Sequence, residues 1–128
     1  MRYQGKKRAF WKIFSEFIRK RDCKKGYGYC ISCHAPITFE TSDAGHFVPA
    51  GECGIGLLFD EQNINAQCRK CNRFDGGNRY EYGLRLDTKY GIGTAEKLWK
   101  RKWTITHEFT DKEYQQKIEE YKTKIKNL

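Results

Sequence analysis

A chain of 128 residues is long enough for one modest hydrophobic core and too short for two independent ones, so a single domain is expected. Its 25 Lys and Arg against 16 Asp and Glu give a formal charge of +9, the profile of a protein whose partner is a polyanion, with nucleic acid the leading candidate. No apolar run reaches the roughly 18 to 20 residues that span a bilayer and no signal-like stretch follows Met1, so neither a membrane span nor export is predicted.

Residues 6–21 read as an amphipathic helix, because Phe10, Phe14, Phe17 and Ile18 recur at spacings of three and four, with Trp11 beside them. Around that apolar face stand Lys6, Lys7, Arg8, Lys12, Arg19, Lys20 and Arg21, continued by Lys24 and Lys25, and only Glu16 and Asp22 interrupt the run. A solvated cationic face is the plain alternative; contact with phosphates is the reading favoured here, and such contacts position DNA without reading its sequence.

Gly26 to Tyr29 break the helix, and Cys30-Ile31-Ser32-Cys33 follows as a tight knuckle. A second Cys-x-x-Cys, Cys68 to Cys71, follows after 34 intervening residues. Two such pairs supply the four ligands of a closed tetrahedral zinc site, and the long interval means that a substantial segment is stapled between them. A redox pair competes only for either motif taken alone. Of the other candidates, Cys23 or His34 could replace one of the four ligands, and Cys23 and Cys53 otherwise read as ordinary reduced cysteines.

Between the knuckles, residues 37–40 and 44–48 have short β character, a loop with Gly51, Gly54 and Gly56 follows, and residues 63–67 lead into Cys68. The expectation is a β-hairpin with a wide loop, then a short helix over residues 69–74, so that one strand residue and one helix residue can face the same small ion. Downstream, Asn78 is an expected N-cap for a helix over 79–90 with Gly91 as its stop. Residues 94–103 carry Leu98 and Trp99 among Lys97, Lys100, Arg101 and Lys102, a further basic surface. Thr110-Asp111-Lys112-Glu113 reads as a capping box opening a last helix whose stripe of Tyr114, Ile118, Tyr121 and Ile125 suits packing or a dimer contact. The predicted fold class is α+β: a basic N-terminal region over 1–29, a zinc-bound core over 30–78 and helices over 79–128.

The order Gly45-His46-Phe47-Val48-Pro49, Asn63, Cys68-Arg69-Lys70-Cys71-Asn72 and Gly77-Asn78 resembles the HNH group of ββα-metal nucleases, with a treble-clef type of core. More closely, Ala-Gly-His-Phe, the run from Leu58 to Cys68, the Cys-Asn-x-x-x-Gly-Gly-Asn segment and Tyr90-Gly91 resemble the bacteriophage NinG (Rap) family, over about residues 30–91. That resemblance implies His46 as general base, Asn63 as the brace that orients it, and Asn72 as a ligand of a catalytic Mg²⁺ or Mn²⁺. It also implies structural Zn²⁺ on Cys30, Cys33, Cys68 and Cys71. Many HNH sites place Asp or His just before the first histidine as a second metal ligand; this chain has Gly45 there, and Asp43 or a water is the expected substitute. Glu52, Asp75 and Asn78 are further polar candidates.

The chemistry fits those roles. Phosphodiester hydrolysis needs an activated water and relief of charge on the transition state and leaving oxygen; a neutral imidazole suits the first need and a hard, oxygen-liganded cation the others. Arg69, Lys70 and Arg73 of the second knuckle complete the expected DNA-contacting set with the basic residues of the first helix and with Lys100 and Arg101. The resemblance further implies branched recombination intermediates such as D-loops and Holliday junctions, phage recombination partners, and the cytoplasm of a bacterial host; a homodimer would suit a two-fold junction, by analogy alone. Two alternatives stay open: a non-catalytic zinc module that binds nucleic acid, and an HNH nickase or endonuclease with another DNA substrate.

Overall fold

The computed structural model describes residues 3–104 and 107–128, with the side chain of Trp103 left aside. It is a mixed α+β arrangement of two small antiparallel sheets flanked by helices. Helix α1, Gly5–Asp22, buries Phe10, Phe14, Phe17 and Ile18. Its last turn carries Arg19, Lys20 and Arg21 against the negative end of the helix dipole. Lys25 (φ 60°) and Gly26 (φ 92°) then turn the chain into strand β1, Tyr27–Tyr29, so the expected helix break also begins a strand. β1 pairs with β2, Pro36–Thr38, and the first knuckle lies between them.

Strand β3, Ser42–His46, pairs antiparallel with β4, Ile64–Cys68, in a register that sets Asp43 opposite Gln67 and Gly45 opposite Asn65. The wide-loop hairpin expected between the knuckles is therefore present, with a single helical turn, α2 (Ile55–Leu58), in its loop. Residues 36–38 belong to the other sheet, since β1 offers them a partner. After β4 comes a turn of π-helix, Lys70–Phe74, where a short helix over 69–74 was expected. Helix α3 spans Arg79–Tyr90, α4 Thr94–Lys100 with a 3₁₀ turn Arg101–Trp103 beyond it, and α5 Asp111–Lys126.

Apolar burial divides into three clusters. Helix α5 lies along α1, packing Tyr114, Ile118 and Tyr121 on Phe10, Phe14, Phe17 and Ile18, while Ala44 and Ile64 of the hairpin close the other side. The α5 stripe is thus taken up by packing within the chain. The expected capping box is formed, with Thr110 Oγ1 accepting from Glu113 N–H and Glu113 Oε1 accepting from Thr110 N–H. A second cluster sets Tyr82, Leu86 and Leu98 of α3 and α4 under Phe47, Val48 and Leu57. The third surrounds the knuckles: Cys23, Cys30, Ile37, Ala66 and Cys71. Among the described residues no helix is long and apolar enough to cross a membrane.

Candidate metal centre and adjoining groove

The two knuckles bring Cys30, Cys33, Cys68 and Cys71 together so that their sulfurs all lie within 4.8 Å of one another. Cys33 Sγ and Cys68 Sγ are 3.8 Å apart, close to the edge of about 3.8 Å that a tetrahedron with Zn–S of about 2.3 Å requires. Backbone N–H groups point at the sulfurs, from Ser32 to Cys30 at 3.3 Å and from Cys71 to Cys68 at 3.4 Å, and such donors favour thiolate over thiol. Burial pushes Cys71 up to about 12 despite the Asn78 side chain that donates to its sulfur, and a divalent cation resolves that conflict. These four thiols fit zinc. Cys23, His34 and Cys53 stand apart from the set: His34 stacks on Tyr29, and Cys53 Sγ lies 3.8 Å from Ala50 O.

Asn78 departs from expectation. It holds left-handed backbone (φ 45°) and makes no side-chain cap to α3, because its amide is turned back onto Cys71 Sγ at 3.6 Å. Gly76 (φ 61°) and Gly77 (φ 86°) precede it, a left-handed run that returns Gly77 O to the hairpin.

Beside the four cysteines a groove of about 390 Å³ runs along β3, walled by Trp11, Ser15 and Arg19 of α1 and by Arg69, Asn72 and Arg73 after β4, with Ser42, Asp43 and Ala44 at its base. His46 lies at the end of β3. Its Nε2 is 3.0 Å from Leu58 O, an atom that can only accept, so Nε2 carries the proton and Nδ1 the lone pair. Trp11 stacks on the imidazole at 5.3 Å between ring centres. Burial, aided by the charge of Arg79 and opposed by the Leu58 hydrogen bond, brings the His46 pKa down to about 4, so the ring is neutral at pH 7.

Asn63 is fully buried and spans the hairpin mouth: its Oδ1 accepts from Val48 N–H at 2.8 Å, and its Nδ2 donates to Val48 O at 3.2 Å and Leu57 O at 3.0 Å. On the other face of β3, Asn72 Nδ2 donates to Asp43 Oδ2 at 2.9 Å. A carboxylate only accepts, so this bond fixes the amide and leaves Asn72 Oδ1 turned toward Gly45, 3.1 Å from where a Cβ on that glycine would stand. Asp43 is more engaged than expected. Arg73 grips both of its oxygens at 2.9 and 3.0 Å, and Arg69 is 3.7 Å away. Burial alone would raise its pKa, but Arg73, Asn72 and Arg69 hold the carboxyl below the usual range. In this arrangement Asp43 anchors Asn72 and the arginines. Asn72 Oδ1, a neutral oxygen, fits a hard divalent cation.

The basic residues separate into distinct groups. Arg8, Lys12 and Arg19 share one side of α1 with Trp11 and Ser15, at spacings of three and four, and that side borders the groove. Arg19 is braced there by Ser15 Oγ and Phe39 O, both at 3.2 Å. Arg69 and Arg73 are exposed on the opposite wall, and Lys70 is exposed between them in the chain. Lys24 and Lys25 line a separate hollow with Lys20, Cys23, Phe39 and Glu40. Lys20, Lys100 and Arg101 pair with Glu16, Glu96 and Asp60, at 2.8, 3.0 and 3.1 Å, surface pairs that yield readily to phosphate. Arg21, expected among the DNA contacts, is turned inward onto Asp22, Glu61 O, Ile64 O and Asn65 Oδ1, and Lys89 joins the same Asp22, so the Arg21–Asp22 pair ties α1 to β4 and α3.

Sequence reading passed over Gln67 and Tyr82. Gln67 is a fully buried amide in β4, and Tyr82 Oη donates to Gly45 O at 2.6 Å, bracing β3 from behind. No local pattern announces Gln67, whose setting is built by Gly45, Ser32 and Gly77 together.

Over 105 residues, 80% of its length, the chain is 26% identical to the CRISPR-associated endonuclease Cas9 of Corynebacterium diphtheriae, of which it spans only 9% of the length. No solved structure matches. The family model for bacteriophage lambda NinG protein matches residues 4–128, nearly the whole chain, and the chain accordingly belongs to the NinG family.

Proposed function

We propose that this chain is a divalent-metal-dependent DNA endonuclease of the HNH (ββα-metal) type, with a zinc-stapled treble-clef core, that cuts branched recombination intermediates of phage DNA such as D-loops and Holliday junctions. The observation that carries the reading is that a neutral imidazole and an amide oxygen bear on adjacent residues of β3: His46 follows Gly45, and Asn72 Oδ1, from the turn after the second knuckle, lies 3.1 Å from where a Cβ on Gly45 would stand. Family membership and the likeness to a protein named an endonuclease support it.

In this reading His46 Nδ1 takes the proton of the attacking water, and the Leu58 carbonyl fixes the tautomer that leaves this nitrogen free. Asn63 holds the hairpin mouth that carries His46. Asn72, oriented by Asp43, would hold Mg²⁺ or Mn²⁺, which when bound supplies charge relief at the scissile phosphate and the leaving oxygen. Arg19, Arg69 and Arg73 line the groove as phosphate contacts, with Arg8 and Lys12 on the same side of α1 as Arg19. The zinc is scaffold.

The test uses end-labelled four-way junction and matched linear duplex with wild type and His46→Ala, each with and without Mg²⁺. Cleavage of the junction by wild type only with Mg²⁺ is expected, with a fall of about 10² to 10⁴ in rate for the variant and unchanged DNA binding. Two observations favour a second reading, a zinc module that binds DNA without cutting it: Trp11 covers the imidazole, and Asp43 is committed to two arginines. Binding by both proteins with cleavage by neither, Mn²⁺ included, would give that reading the lead.

A further inference from the structure

Gln67 is fully buried in β4, and its side-chain oxygen has no hydrogen-bond donor among the described residues. The amide cannot be turned to cure this. Its Nε2 donates to Gly77 O at 2.6 Å and to Ser32 Oγ at 2.8 Å, while the Ser32 hydroxyl itself donates to Gly77 O at 3.0 Å. Gly77 O only accepts, so an oxygen placed there would face an oxygen. Oε1 is therefore held toward Gly45, and a Cβ on that residue would stand 1.9 Å from it and 3.1 Å from Asn72 Oδ1. Two amide oxygens, each locked by its own NH₂ group, thus converge on the space that a side chain at position 45 would fill. A buried acceptor left without a partner destabilises the fold, so its retention needs a cause.

We infer that Gln67 Oε1 is a protein ligand of the divalent-cation site beside Asn72 Oδ1, supplied from β4 in place of a side chain at position 45. The inference rests on the metal-dependent reading above. It accounts for Gly45 as well as for Gln67: a glycine in extended backbone makes room for an oxygen arriving from the neighbouring strand. The buried amide oxygens are neutral, so the site binds a hard cation weakly until a phosphate adds its charge. Asp43 serves it indirectly, by holding Asn72 and balancing Arg73.

The probe is Mn²⁺ alone, titrated into zinc-loaded full-length protein without DNA and followed by electron paramagnetic resonance of the free ion. Thermal melting and zinc content serve as controls for each variant. Gln67→Ala is expected to weaken Mn²⁺ binding at least about tenfold. Gly45→Asp alone collides with Gln67, whereas Gly45→Asp combined with Gln67→Ala restores binding to the wild-type level or tighter, because an oxygen now comes from β3. If Gln67→Ala disturbs the fold, magnesium titration of the wild type decides instead: the Gln67 side-chain amide resonances shift together with those of Asn72. Unchanged Mn²⁺ affinity in a folded Gln67→Ala protein, or a Gln67 amide that stays still while Asn72 moves, overturns the inference and leaves the nuclease reading intact, with a buried water as the partner of Oε1. A wild-type protein that neither binds Mn²⁺ nor cleaves DNA overturns both.

Discussion

The α1–α5 pair and the β3–β4 hairpin lie side by side, yet they are held by different forces. Where the helices meet, the buried side chains are aromatic or aliphatic: Phe10, Phe14, Phe17, Ile18, Tyr114, Ile118 and Tyr121. The buried polar residues Ser32, Ser42, Asn63, Asn65 and Gln67 all belong to the first knuckle, the hairpin or its loop. Removal of apolar area from water is non-directional and stabilises the helix pair without specifying one geometry. Hydrogen bonds and thiolate ligation are directional, and they set positions to tenths of an ångström. The candidate site lies where directional forces dominate, and the helix pair supplies the wall against which that site is held.

Metal removal is the severest test of this contrast. The two ligand pairs are 34 residues apart and each sheet has only two strands, so the hairpin lacks independent stability. Apparent zinc-binding free energies of about 10 to 16 kcal/mol in zinc-finger peptides set the scale. Chelation or Cys71→Ser is expected to abolish the cooperative thermal transition. A chelated sample that keeps its native circular dichroism and its transition would show that apolar packing alone carries the fold.

Phe14→Ala strikes the other region. Phe14 is fully buried against Phe10, Phe59 and Tyr121, and removing such a ring costs about 3 to 5 kcal/mol. The variant is expected to melt earlier in proportion while still binding one zinc per chain. Loss of zinc before unfolding would show that the two regions are not separable in this way.

The same contrast explains what could be read from the sequence. Helices α1, α3 and α5 declare themselves by apolar spacing, since burial of one stripe is the force that makes them; α3 runs over Arg79–Tyr90 as expected. The four-cysteine cluster is legible because a Cys-x-x-Cys pair carries its own geometry. Other features arise from directional contacts between residues far apart in the chain, which no local pattern announces. Asn78 loses its capping role to Cys71 Sγ, Arg21 turns inward to Asp22, and residues 36–38 find β1 as their partner. Gln67 was invisible for the same reason, because its environment is built by Gly45, Ser32 and Gly77 together.

A pH titration probes the polar side with a smaller effect. The His46 pKa falls from 6.5 to about 4 on folding, so between those values the unfolded chain binds the proton that the folded one refuses. Stability therefore rises with pH across this window, and the contribution is lost as pH falls from about 6.5 toward 4, amounting at most to roughly 3 kcal/mol. Acid also releases zinc, so the comparison is between wild type and His46→Phe at each pH: the stability difference should narrow on acidification. Parallel curves would mean that the histidine is not shielded from solvent as its contacts with Trp11 and Leu58 imply.

The smallest effect comes from the far end of the helix pair. Thr110 caps α5 through a reciprocal box with Glu113, and Thr110→Ala is expected to cost about 1 kcal/mol. Its value lies in what should not change. α5 touches α1, and α1 carries Trp11 and Arg19 into the groove, so a loosened α5 has a mechanical route to the candidate site. If directional bonds fix that site, a cap lost on α5 lowers the melting temperature slightly and leaves zinc content and junction cleavage as in wild type. A fall in cleavage larger than the loss of folded protein would show that the groove takes its shape from helix packing, and the division between the two regions would have to be redrawn through α1.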